Sequence, residues 1–145
     1  MPAPSPDTSF LFSLYGDDAH TTRARGWLST HGGTLPVTTL ALFEHANALR
    51  CAAFRKAITH EDALSALQAV AHDLKSGMLV IAGPSLPDVL TEAERLSARH
   101  SLVGGFRSFD ILHVATARVL KADVFLSFDV AQRNLAAAAG LKVGP

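Results

Sequence analysis

At 145 residues the chain has the length of one domain around one core, and with 48% apolar and 18% charged residues it is too apolar for a disordered segment. Its 13 basic residues balance its 13 acidic ones, so no long-range field gathers nucleic acid or anionic membrane, and any RNA contact must come from a local patch. Cys51 is the only cysteine, which excludes an internal disulfide and a cysteine-rich zinc site and fits a reducing cytoplasm.

The segment Met1-Pro2-Ala3-Pro4-Ser5-Pro6 carries no basic residue, and the apolar stretch Phe10 to Tyr15 is too short for the core of a signal peptide, so no secretion is expected. Its three prolines each lack a ladder donor, which predicts at most a short, irregular strand. Thr8 to Leu14 reads as a short helix, broken by Gly16-Asp17-Asp18 before a second helix that runs to about Thr30. Gly32-Gly33 turns the chain into Thr34 to Thr38, an extended piece whose proline limits pairing. Leu40, Phe43, Ala46, Asn47 and Arg50 have helical spacing, which predicts a long helix from about Thr39. Another begins near Glu61, after a Thr59-His60 junction able to cap it, and the two together predict an αα-hairpin.

Met78 to Ile81 reads as a strand, Pro87 opens a helix, Gly104-Gly105 closes it, and Ser108 starts the next. The apolar run Met78 to Leu90 is interrupted by Gly83, Pro84 and Pro87 well short of the ~20 residues of a membrane helix, so no membrane partner is expected. Asp110 to Ala122 is helical, Asp123 to Ser127 favours a strand, Asp129 to Ala139 is helical again, and Leu141 to Val143 forms a last strand after Gly140. This alternation predicts an α/β fold with a mostly parallel sheet covered on both faces, and neither repeats nor a linker divides residues 1–145.

In open parallel sheets ligands gather beyond the carboxyl ends of the strands, so acids at strand-to-helix switches stand out. Asp129 ends one strand and begins a helix. Asp110 begins the preceding helix, so one helix and one strand separate the two and return both to the same edge. Either alone reads as a helix cap. Glu44 lies near the start of a helix on a mostly apolar segment, where its plain reading is an exposed acid near a favourable dipole, and Asp7 begins the first helix. Four clustered carboxylates repel one another and call for a hard divalent cation with oxygen ligands, Mg2+ or Mn2+, which activates a water toward a phosphodiester.

Asp7-Thr8-Ser9, Glu44 in Thr39-Leu40-Ala41-Leu42-Phe43-Glu44, the stretch Phe106 to Ala115 around Asp110, and Phe125-Leu126-Ser127-Phe128-Asp129 together resemble the ordered acidic motifs of PIN-domain nucleases, in particular VapC-type toxins. The resemblance spans almost the whole chain and is strongest in its last 40 or so residues. It implies a single PIN-like domain, a three-layer α/β/α fold, and a magnesium-dependent endoribonuclease with Asp7, Glu44, Asp110 and Asp129 as metal site. It implies that Ser127 orients a carboxylate or water, that the protein is a cytoplasmic homodimer, and that a small antitoxin inhibits it. The proline-rich start departs from the family pattern. It predicts an Asp7 held mainly by its own helix and contributing less to metal affinity than Asp110 or Asp129, and it favours a rival reading, a catalytically silent PIN-like module that binds RNA or protein.

His113 is three residues from Asp110 but reads as a packed, hydrogen-bonded side chain, since no second spaced histidine accompanies it. His45 and His72 carry no assigned role. Among the cations near the acids, Arg50, Arg55, Lys56, Arg107, Arg118 and Arg133, the last is the best candidate for an RNA contact because it lies one turn after Asp129. Trp27 and the phenylalanines read as core or interface, not as a base-stacking platform.

Overall fold

The computed structural model describes residues 3–145. In chain order the elements are β1 (Pro4–Pro6), α1 (Thr8–Leu14), α2 (Thr21–His31), β2 (Leu35–Val37), α3 (Thr39–Phe54), α4 (His60–Ser76), β3 (Leu79–Ile81), α5 (Leu86–Gly104), α6 (Ser108–Val119), β4 (Val124–Leu126), α7 (Val130–Ala138) and β5 (Lys142–Gly144). The expected αα-hairpin is α3 and α4. Thr38 caps α3 by accepting from the Ala41 N–H. Thr59 and Asp62 cap α4 reciprocally, each side chain bonding the other's backbone N–H. Gly77 and Gly105 follow α4 and α5 at φ +83° and +64°, a left-handed conformation that a residue with a Cβ adopts only under strain.

All strand pairs are parallel: β1 with β4, β4 with β5, and β2 with β3. The central strand β1 also packs beside β2, yet no ladder joins them. The prolines explain this seam. The Asp7 N–H donates to Leu126 O and Ala3 O accepts from the Asp123 N–H, both at 2.9 Å, so the odd-numbered residues of the segment face β4. Alternation then turns the donorless nitrogens of Pro4 and Pro6 toward β2. Pro4–Pro6 is therefore a short strand, as expected, but a regular one in register with β4, from Pro4 opposite Val124 to Pro6 opposite Leu126, where an irregular one was expected; Met1 and Pro2 lie outside the described residues. The prolines remove one of its two ladders.

The sheet separates two cores. Leu126, with Val124 against it, packs with Phe10 and Leu11 of α1, Ala24 of α2, Ala41 of α3 and Val70 of α4. Phe125 points the other way, to Val89 and Leu96 of α5, Ile111 and Val114 of α6, and Leu135 of α7. Period-2 alternation along β4 thus produces the predicted three-layer α/β/α arrangement. No helix among the described residues is long and apolar enough to cross a membrane.

Candidate active site

Three of the four candidate acids occupy helix starts at one edge of the sheet. Asp7 caps α1, Asp110 lies in the first turn of α6, and Asp129 caps α7 by accepting from the Gln132 N–H at 2.9 Å. Asp and helix N-termini suit each other because the dipole favours negative charge there. Glu44 reaches the same edge from the second turn of α3. Glu44, Asp110 and Asp129 line an open cavity of about 710 Å³, together with Thr8, Ser9, His20, Arg107, Phe128 and Gln132.

Asp7 does not line that cavity. It is fully buried and reaches it through Ser9, whose hydroxyl donates to Asp7 Oδ1 at 2.7 Å. The Phe10 N–H also donates to Oδ1, at 2.9 Å, and the Ser127 hydroxyl donates to Oδ2 at 2.5 Å. Burial raises the Asp7 carboxyl above the usual range, against the lowering pull of Ser127, Ser9 and Phe10. Two of the three side-chain donors, Ser9 and Phe10, belong to α1, so the carboxylate is held mainly by its own helix, as expected, with further anchoring that the sequence did not indicate. The turn after β4 supplies Ser127, β4 anchors the Asp7 backbone, and the proline-rich strand beneath it is in register.

Glu44 is pushed the other way. The His113 ring lies 3.2 Å from its Oε1, and that hydrogen bond holds the carboxylate below its ordinary range despite partial burial. The same ring nitrogen lies 3.4 Å from Thr8 Oγ1. His113 is buried and hydrogen-bonded, as its sequence context indicated, but its partner is one of the candidate acids, 69 positions away. The i, i+3 spacing from Asp110, which turns both toward the same edge, was the signal for that placement.

The cations sort differently from the sequence reading. Arg133 directs Nη1 at the carbonyls of Ser127 (2.6 Å), Pro145 (3.1 Å) and Gly144 (3.5 Å), clamping the chain end to the β4–α7 turn, and it is not part of the cavity wall. Three backbone carbonyls thus lie within reach of this one nitrogen, a structural tie that the sequence reading of Arg133 as an RNA contact did not include. Arg118 bonds Glu92 and the Ala139 carbonyl. Arg107 does line the cavity, with its side chain 82% exposed and Nε 3.5 Å from Asp110 Oδ2, a contact too long and too solvated to occupy it.

The donor chemistry fits a hard divalent cation. Carboxylate and hydroxyl oxygens are the commonest polar groups of the wall, and Oδ1 of Asp110 and Oδ2 of Asp129 accept no hydrogen bond among the described residues. Gln132 Oε1 is also buried without a partner, which calls for a donor within the cavity. No three His, Cys, Asp or Glu side chains among the described residues stand close enough to hold one ion. The acids thus gather around a common space without closing a cage, a looser convergence than the clustering expected from the sequence.

No curated protein matches the chain in sequence. Among solved structures, VapC20 of Mycobacterium tuberculosis, described as a sarcin-ricin loop cleaving toxin, superposes with a TM-score of 0.70 at 20% identity, covering 98% of this chain and 99% of that one. FitAcB of Neisseria gonorrhoeae superposes at 0.65 with 12% identity, over 98% and 96% of the two chains. PAE2754 of Pyrobaculum aerophilum superposes at 0.61 with 19% identity, over 98% and 89%. The PIN domain profile matches residues 6–138, from the end of β1 to the end of α7, and so takes in all four acids: the chain belongs to the PIN domain family.

Proposed function

We propose that this protein is a metal-dependent endoribonuclease of the VapC toxin type. The observation that carries the reading is the meeting of Glu44, Asp110 and Asp129 on one open cavity of a PIN domain, with Asp7 behind them. Glu44, Asp110 and Asp129 would hold Mg2+, or Mn2+ in its place, and Asp7 would act on the ion from behind them, through its charge and through Ser9. When bound, the cation lowers the pKa of a water and offsets negative charge on the phosphate. The chain's own residues orient the parts. Ser127 fixes Asp7, His113 fixes Glu44, and Arg107 at the rim contacts RNA phosphate oxygens. In the reaction, water oxygen bonds to phosphorus, the bond from phosphorus to the departing ribose oxygen breaks, and that oxygen gains a proton.

Labelled structured RNA incubated with the purified protein should be cleaved in Mg2+ or Mn2+ and left intact in excess chelator. Equal cleavage in chelator refutes metal dependence. The uncaged acids favour one alternative, a catalytically silent PIN-like module that binds RNA or protein, and RNA bound but uncut in either metal supports it.

The cytoplasm suits the lone thiol of Cys51, and two apolar surfaces support partners. Phe43 and Phe54 on α3 and Leu64 on α4 are exposed, a place for an amphipathic segment of a small cognate antitoxin. Val80 and Ile81 on β3 and Leu86 and Leu90 on α5 are exposed as well and would be covered in a homodimer. Light scattering should give twice the mass of the chain, and a monomer at high concentration refutes the dimer.

A further inference from the structure

We propose that His20 is a nucleobase-stacking subsite at the mouth of the acidic cavity, a proposal that rests on the nuclease reading and specifies how its RNA is gripped. Three rings are layered there. Phe10 and Phe128 lie nearly parallel with centroids 5.9 Å apart, and His20 lies on Phe128 at 4.5 Å with 8° between planes. The stack runs from the core outward, from a fully buried Phe10 through a half-buried Phe128 to an exposed His20. The sequence reading of the phenylalanines as core therefore holds for Phe10, while Phe128 supports an aromatic layer that faces solvent.

This layer is built to stay in place without using its own polar atoms. The Phe128 N–H donates to Ser9 Oγ at 2.9 Å, and the His20 N–H donates to Asp18 Oδ1 at 2.8 Å. Neither ring nitrogen of His20 has a hydrogen-bond partner among the described residues, so what the ring offers there is its face, laid on Phe128. The Arg23 guanidinium carbon sits 5.6 Å from the Phe128 centroid, while its Nη2 donates to Pro145 O, which places a positive charge beside the stack. His20 and Phe128 line the same cavity as Glu44, Asp110 and Asp129, and Phe128 directly precedes Asp129. A base lying on His20 thus belongs to a nucleotide next to the phosphate that the acids address. Stacking tolerates any base, since every base offers a π-face, and the cavity volume suits a nucleotide.

The test compares wild type, His20→Ala and His20→Phe, using a labelled single-stranded oligoribonucleotide for binding in chelator and for cleavage in Mg2+. His20→Ala should weaken Kd and raise KM by about five- to a hundredfold, the range of a lost base stack, with kcat within roughly threefold. His20→Phe should restore both, because it returns the π-face without the nitrogens. Unchanged binding and KM in His20→Ala overturn the subsite, as does a His20→Phe variant as weak as His20→Ala. If wild type binds the oligoribonucleotide but never cuts it, the nuclease reading falls and the same binding contrast still decides the subsite. Wild type that neither binds nor cuts overturns both.

Discussion

An Asp7→Asn variant is expected to lose RNA cleavage by roughly a hundredfold or more and to melt at a higher temperature than wild type. Asn has the shape of Asp without its charge. Its oxygen still accepts from Ser9 and the Phe10 N–H, and its amide donates to Ser127 Oγ, whose own proton turns elsewhere, so the local bonding survives. What disappears is a charge that burial already disfavours, as the raised Asp7 carboxyl indicates. Folding gains by that removal, while the site loses negative charge beneath its cavity. The sequence expectation ranked Asp7 as the weakest metal ligand. Its three donors and the β1–β4 pairing beneath it are the opposite of a loosely held group, so Asp7→Asn should cost as much metal affinity as Asp129→Asn. Calorimetric titration of both with Mn2+, beside thermal melts, checks this. A variant that cuts normally, or that melts lower, would overturn the assignment.

Stability should hold above about pH 6.5 and fall as the pH drops toward 4, with His45 responsible for about 3 kcal/mol of the loss. His45 is 1% exposed, with the rings of Phe12 and Tyr15 against it and Nε2 unpartnered. Burial lowers its pKa from 6.5 to about 4. The unfolded chain therefore takes up a proton on passing below pH 6.5, whereas the folded chain declines it until about pH 4. Unfolding gains ground throughout that window. Around it, Tyr15 donates to Asp73 at 2.6 Å, and that carboxylate is occupied by the hydroxyl. Carboxylates elsewhere also titrate near pH 4, so the measurement is a difference: urea unfolding of wild type and His45→Leu at pH 7 and pH 4.5. The variant should lose less stability between the two, and equal losses would exclude His45 as the cause.

Much of this architecture can be read from local sequence because local rules produced it. The βα alternation after Ser108, the Thr59 cap and the switch-point positions of Asp110 and Asp129 each depend on neighbours within a few residues. The β1 strand was misjudged because counting prolines ignores their phase. Pro4 and Pro6 differ by two, so both missing donors fall on one edge, and the other edge pairs normally. The bond between His113 and Glu44 and the carbonyl clamp on Arg133 join residues from separate elements, and no periodicity encodes such partners. His20 was passed over for a related reason: it gains its meaning from Phe128, more than a hundred positions later.

The seam between β1 and β2 bears on how the site holds its shape. Glu44 hangs from the β2 side through α3, whereas Asp7 and Asp129 hang from β1 and β4. Backbone ladders run within each side and none runs across. The gap that separates these acids is therefore set by side-chain packing and by the Glu44–His113 bridge, which spans it. The width of that gap rests on the shared apolar core, in which Leu35 and Val37 of β2 pack with Leu126 of β4, and on one hydrogen bond, so His113 is a residue through which the spacing of the acids is set.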